Sequence, residues 1–365
     1  MASLSAARAP VAAAPFKACP SARAGRSQRL QPVCSAARNQ HAAAAADRRA
    51  VLLGLAGAAV AVPLVGAAPA SAGEQYLPVS SLTVIQKKAI LADFQARAEA
   101  ALSQELTAAD APVALRLLLN DAGTYDAATK TGGCDGSIVL PEELNRPENK
   151  GLAPFVDRLR KVKDAIDARA EEGQGPISWA DTIVLAAKVC IEKAWRQDKI
   201  NKAADAEKGA FIAESFGNPI FLKLGRKDAT EPAPAGRLPA PDASLEGVQQ
   251  YFNKLGVKPD AGSGPFAPKA PFWERQQFLL WPATQADPAA AEAALVAYSA
   301  AAYGPWKQQY DKSRGTVTRT SYEVDFGTIF IKLADLGAKF DKDAYLFPIK
   351  ASWLVGQRAV VPERY

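Results

Sequence analysis

Histidine is almost missing from this chain: the one copy among 365 residues is His41. Cysteine comes to four, and none stands in a Cys-x-x-Cys or Cys/His arrangement, which argues against zinc binding and thioredoxin-type redox chemistry. Acidic residues are absent from residues 1–46, where Arg8, Arg23, Arg26, Arg29 and Arg38 stand among many Ala and Ser. That composition is the mark of an organelle transit peptide, not of a packed domain. Long apolar runs are lacking as well. The run from Ala50 to Val62 follows the pair Arg48 and Arg49 and ends at Pro63, too short to span a bilayer comfortably. It reads as a short anchor or as a removed signal, and Pro63 together with the small-residue end Ala70-Ser71-Ala72 favours the signal. Two signals in series, a chloroplast transit peptide over 1–46 and a twin-arginine export signal over 47–72, predict delivery to the thylakoid lumen. The packed domain is expected over 73–365.

The charge changes meaning once those signals are set aside. Residues 1–72 carry eight of the 44 basic groups and one of the 38 acidic ones, so 36 and 37 remain and the domain is close to neutral. The basic balance of the full chain therefore does not point to nucleic acid or to an anionic membrane as partner. Cys19 and Cys34 leave with the signals. Cys134 and Cys190 remain, either as two separate buried thiols or as a disulfide that an oxidising compartment would permit, with separate thiols favoured.

What is present is helical periodicity. Leu91, Phe94, Ala98 and Leu102 recur at steps of three and four and predict an amphipathic first helix. Asp110 is placed to cap the next, with Pro112 in its first turn. Val113, Leu115, Leu117, Leu118 and Leu119 make that helix apolar nearly all round, hence buried. A further helix is expected from about Leu152, with Phe155, Leu159, Val162 and Ile166 on one face. Ser178 should cap another that carries Val184, Ala187, Ile191 and Trp195, with Asp181 as the reciprocal member of a capping box. Residues 217–242 form a long Pro/Gly loop of the kind that shapes a site or a lobe boundary. A short helix over 245–255, a second irregular stretch, one Ala-rich helix over 289–302 and a last helix striped by Phe326, Ile329, Phe330, Leu333 and Leu336, terminated by Gly337, complete the chain. Strand-like alternation is nearly absent, and the fold class is all-α.

Several blocks, in order, carry a resemblance. "APVALRLLLNDAGTYDAATKTGG", "GSI", "EELNRPENKGL", "ISWAD" and "GRKDATEPAPAGRLP" are similar to the plant-type (class I) haem peroxidases, and to ascorbate peroxidases among them, over roughly residues 82–257. The later "SYEVDFGTIFIKLADLG" resembles the final helix of that fold. The resemblance implies two helical lobes around a central pocket, with haem b held between them. Peroxide chemistry there needs a distal base, a cation to stabilise departing charge, and a proximal ligand that holds the iron.

The family's distal Arg-x-x-Trp-His reads here Arg116-Leu117-Leu118-Leu119-Asn120. Arg116 and residue 120 lie four apart on one face, so the cation is kept, but the base has become an amide that cannot take and return a proton near neutral pH. By itself that loses roughly 10²- to 10⁴-fold. Asn149 matches the residue that orients the distal imidazole in the family. An ungapped count places the proximal ligand at Lys269. The Lys and Cys that in ascorbate peroxidases precede the Ala-Pro fall on Ala108 and Asp110, which weakens ascorbate recognition by that route. Arg116 is expected either to pair with a carboxylate such as Asp121 or Glu148, or to line a small-anion pocket in which, with Asn149, it would meet ascorbate or a phenolic. Cys134, Cys190 or a Tyr would be the remaining iron ligands in principle. The six Trp residues read as packing or interface groups.

The lumen-type signals, the Leu-Asn pair and the ending "KSRGTVTRTSYEVDFGTIFIKLADLGAKFDKDAY" resemble a lumenal ascorbate-peroxidase-like branch of the family. That resemblance implies association with photosystem II and no ordinary haem peroxidase activity, with neither cofactor nor metal. The alternative is a haem-dependent ascorbate peroxidase with an atypical ligand. The aromatic stretch Pro265 to Pro282 reads either as an interaction surface or as a core plug in the space of the haem.

Overall fold

The computed structural model describes residues 76–256 and 273–350, apart from Asn218, Pro241 and Arg319. The two targeting segments, Lys269, Trp353 and the first part of the stretch at 265–282 lie outside the described residues, as does the side chain of Trp273.

The described chain is all-α, as expected, with one small antiparallel pair in which β1 (Tyr76–Leu77) meets β2 (Ile349–Lys350). Helix α1 (Val84–Glu105) opens on a capping box between Thr83 and Gln86. It buries Ile90, Phe94, Ala98 and Leu102, so Ile90 and not Leu91 begins the covered stripe. Helix α2 (Ala111–Ala122) starts with Pro112 in its first turn, and Leu115 with Leu117, Leu118 and Leu119 are buried. Asp110 does not cap it. Its carboxylate closes a capping box with Thr107 and takes two bonds from Arg158 at 2.7 and 3.2 Å. A cation across the helix pair outcompetes the local cap, because Arg158 offers a charge-assisted fork.

The short helix α3 (Pro141–Leu144) leads to α4 (Ala153–Asp167), which buries Phe155, Leu159, Val162 and Ile166 as the periodicity predicts. Ser178 caps α5 (Trp179–Lys202) by accepting from the Asp181 N–H. Helix α6 (Ala206–Phe216), whose pattern gives no clear stripe, packs on α5. The described residues of 217–244 run without helix to α7 (Leu245–Gly256). Helix α8 (Trp273–Ala283) begins at the end of the second irregular stretch and takes up the second half of the aromatic stretch 265–282, for which no helix was expected. The single Ala-rich helix is in fact two, α9 (Pro288–Tyr298) and α10 (Ala300–Arg314). They break at Ser299, whose extended backbone lets its hydroxyl cap α10 at Ala302. Helix α11 (Ser321–Ala334) follows a capping box of Thr320 with Glu323, and Gly337 turns the chain after it at φ +69°. A side chain at 337 would meet the Gly132 carbonyl at 2.5 Å, so the close approach and the positive φ both require glycine.

Two groups of helices share α2. Helices α1, α4 and α5 pack together, with α2 on α5, while α8 contacts α7, α9, α10 and α11. Helix α2 also touches α8 and α11, so it is the wall common to both lobes. No described helix is long and apolar enough to cross a membrane.

Candidate distal site

The buried Leu face of α2 fixes the rotation of the helix, and that rotation turns Arg116 and Asn120 together toward residues 143–150. Arg116 Nη2 donates to the backbone carbonyls of Glu148 (3.0 Å) and Lys150 (2.9 Å). Of the two readings offered for Arg116, the carboxylate pairing is not formed: among the described residues, neither Asp121 nor Glu148 makes an ion pair with it. Burial without a compensating anion holds this guanidinium below its ordinary pKa. Asn120 Nδ2 donates to the same Glu148 carbonyl (3.2 Å) and to Asn149 Oδ1 (2.9 Å). Asn149 is buried and donates in turn to the Glu143 carbonyl at 2.9 Å. Asn149 thus still orients residue 120, but by accepting from an amide.

Leu119 lies on the same wall and is 5% exposed. Its carbonyl accepts from the Gly123 N–H (2.8 Å) and from the Tyr251 hydroxyl (3.3 Å). Gly123 makes this contact possible, since a Cβ there would stand 1.8 Å from the Tyr251 oxygen. Above these groups a cavity of about 370 Å³ opens between α2, α7 and the end of α8, with Arg116, Asn120, Phe252 and Trp281 on its walls. Pro239 and Ala240 complete its rim, so the Pro/Gly loop does shape the site.

The residues present do not fit a haem of the family's kind. No imidazole remains beyond His41. Gln277, Phe278, Leu279 and Leu280 of α8 are buried, and α8 packs on α2 with Cα atoms within 8 Å. The buried part of the 265–282 stretch is therefore core, not an interaction surface. Cys134 and Cys190 are free, buried and away from the cavity. Burial pushes the Cys190 thiol up to about 12 and the Cys134 thiol well up, so neither is a ready thiolate. Burial likewise raises the Tyr251 phenol.

A second cluster escaped the pattern reading. Asp181 does not return to Ser178 as a capping box would have it. Its carboxylate is fully buried and accepts from Arg226 Nη1 (2.7 Å), the Gly225 and Arg226 N–H groups (2.6 and 3.1 Å) and the Tyr345 hydroxyl (2.6 Å). Arg226 also reaches the Ala334 carbonyl and Asp335. The signal available in sequence was an acidic residue inside the otherwise apolar start of α5, together with the Arg of the "GRKD" block.

Asp121, on the opposite face of α2 from the cavity side chains, is fully buried and accepts from the Gly136 and Ile138 N–H groups at 3.0 and 3.3 Å. Burial, with Asp135 nearby, raises its pKa well above the ordinary value. A carboxyl raised on folding contributes stability that is complete below about pH 4 and is lost as pH rises toward its folded pKa. Urea midpoints of the native protein should therefore fall, relative to those of an Asp121→Asn variant, as pH rises above about 4. The slope should be at most about 1.4 kcal/mol per pH unit.

Helical lobes sharing one wall, a distal-type Arg and Asn on that wall, and an Asn beneath them define a peroxidase-type scaffold with an amide where the distal base would stand. The sequence model described as "Peroxidase" matches residues 94–260. The chain is 35% identical over 301 residues to the "Thylakoid lumenal 29 kDa protein, chloroplastic" of Solanum lycopersicum, covering 80% of each. To the peroxisomal L-ascorbate peroxidase 5 of Arabidopsis thaliana it is 37% identical over 147 residues, 40% of this chain and 42% of that one. The crystal structure of the TL29 protein from Arabidopsis thaliana superposes with a TM-score of 0.62 at 35% identity, covering 71% of this chain and 99% of that chain. The chain belongs to the plant-type peroxidase family, with the thylakoid lumenal 29 kDa proteins.

Proposed function

We propose that this protein is a peroxidase-like scaffold of the thylakoid lumen that lacks haem peroxidase activity and works through its surface, associated with photosystem II or other thylakoid membrane proteins on the lumenal side. The observation that carries the loss of activity is the distal wall itself. Residue 120 is an amide fixed by Asn149, and α8 lies directly against α2. The lumenal setting rests on the serial signals at 1–46 and 47–72 and on the names of the lumenal relatives. The photosystem II partner rests on the family resemblance.

Haemin titration of the chain from residue 73 tests the first part. The expected result is no stoichiometric Soret band and no peroxide-dependent ascorbate oxidation, for the native chain and equally for Asn120→His. A bound haem with turnover in the native chain would support the ascorbate peroxidase reading and overturn this one. Co-fractionation of the protein with photosystem II after thylakoid solubilisation tests the partner, and its recovery only in the free lumenal fraction would count against it.

A further inference from the structure

Three carboxyl groups gather on the side of α2 away from the cavity: Asp121 from α2, Asp135 from the turn that follows it and Glu143 from α3. Asp121 and Glu143 are fully buried and Asp135 is half-buried, yet among the described residues none of the three forms an ion pair. Each is tied to backbone instead. Asp121 accepts from the Gly136 and Ile138 N–H groups, Asp135 from the Ser137 N–H at 3.2 Å and Glu143 Oε2 from the Ala233 N–H at 2.7 Å. The Asp135 carbonyl also accepts from the Ala229 N–H at 2.8 Å, and Arg146 Nη2 donates to the Ala233 carbonyl. The cluster therefore joins α2, the turn at 133–140, α3 and the loop at 225–233.

The hydrogen-bond arithmetic does not close with every carboxyl ionised. The Ser137 hydroxyl stands beside both Asp135 and Glu143, and it has one proton to give. If both are carboxylates, one of them faces an oxygen lone pair. Ser137 Oγ and Glu143 Oε1 are in fact both buried without a hydrogen-bond partner among the described residues. A proton on Glu143 Oε1 supplies the missing donor: it can be given to Ser137 Oγ, whose own proton then turns to Asp135.

The surrounding charges do not relieve the cluster. Arg146 acts on Glu143, and Lys339 on Asp135, only through space. Arg226 is held by Asp181 and Asp335. Asp228 stands against Gly136 as a further acid, its carboxylate occupied by the Trp179 and Ala180 N–H groups. Cys134 is buried among them as a neutral thiol. Burial raises Asp121, Asp135 and Glu143 above the ordinary carboxyl range, and neighbouring carboxyls add to the rise at Asp121 and Glu143. Carboxyls raised in this way hold the closed arrangement fully below about pH 4 and lose that hold as pH climbs through their folded values.

We propose that Asp121, Asp135, Glu143 and Ser137 form a proton-operated latch, which when protonated holds the turn at 133–140 and the loop at 225–233 against α2 and when deprotonated releases them. It closes in acid and loosens toward neutral pH, and it does not depend on the partner proposed above.

Hydrogen exchange of the chain from residue 73, read by mass spectrometry between about pH 5 and about pH 8, tests it, with protection factors used so that the chemical exchange rate drops out. Protection at 133–140 and 225–233 should fall about tenfold per pH unit for one proton released, and up to about a hundredfold for two released together, while α4 stays level. Glu143→Gln keeps a donor toward Ser137 and carries no charge, so its protection there should fall at least about threefold less per pH unit than in the native chain. Infrared spectra of the native chain give a reading that needs no variant: a carboxylic-acid carbonyl band should persist at about pH 6, where exposed carboxyls are ionised, and shrink by about pH 8. Level protection in the native chain, a fall shared by α4, an equal fall in a folded Glu143→Gln protein or no acid band at about pH 6 would each overturn the proposal. So would recovery of protection at about pH 8 on adding about 5 mM calcium, which would put a cation and not protons in charge of the cluster.

Discussion

Replacing Asp181 by Ala is expected to destabilise the protein by about 4 kcal/mol, seen as a fall of about 10 °C in the thermal midpoint. The reason is the number of donors that one carboxylate satisfies. It takes the Arg226 guanidinium, two backbone N–H groups and the Tyr345 hydroxyl, in a place where Asp181 and Arg226 side chains are both 0% exposed. Removing the acceptor leaves the buried guanidinium with Asp335 as its one remaining anion and three neutral donors without their acceptor. Tyr345 sits at φ +60°, a strained backbone for a residue with a side chain, and stacks on Phe94 at 4.3 Å. Its hold on the segment before β2 weakens with the same substitution. Removing both charges is a different experiment. The double variant Asp181→Leu with Arg226→Met should lose clearly less than the sum of the two single losses, because no uncompensated charge stays inside. Urea or thermal unfolding of the four proteins checks this, and additive losses would show that the pair does not act as a unit.

Gly123→Ala is the second large effect. The added Cβ would stand 1.8 Å from the Tyr251 hydroxyl oxygen and 2.5 Å from the Leu119 carbonyl oxygen, so α7 or the end of α2 must move. Overpacking of this kind costs about 2–3 kcal/mol. It also displaces Tyr251, whose hydroxyl is held by the Leu119 carbonyl beside the cavity. Tyr251→Phe removes the nearest atom and should restore part of the loss in the double variant, but not all of it, since the Leu119 carbonyl stays. A double-mutant cycle by urea unfolding measures the recovery. No recovery would mean that the clash with the helix backbone alone decides the cost.

Much of the architecture is legible before any coordinates. The spacing of Phe155, Leu159, Val162 and Ile166 places α4, and Phe326, Ile329, Phe330 and Leu333 place α11, because a 3.6-residue period survives any packing that covers one face. The pattern fails where the element is short or covered on several sides. Helix α8 gives a misleading signal for that reason: it is Pro-flanked in sequence, yet Gln277, Phe278, Leu279 and Leu280 are all inside. Capping residues mislead for another reason. Asp110 and Asp181 both stand at plausible caps, and each was drawn to an arginine 48 or 45 residues away, since a charged partner offers more than a local N–H.

The sequence by itself determined that no imidazole stands beyond residue 41, that residue 120 is an amide on the same face as Arg116, and that the fold is helical. These are facts of composition and of local period, and they need no neighbours. Only the tertiary structure decided that Arg116 leans on carbonyls and not on a carboxylate, that Asn149 still holds residue 120, and that α8 lies on α2 while a cavity stays open beside them. Each of those depends on groups some 30 to 160 residues apart in the chain, brought together by burial of apolar faces, and no local pattern carries the register of such an encounter.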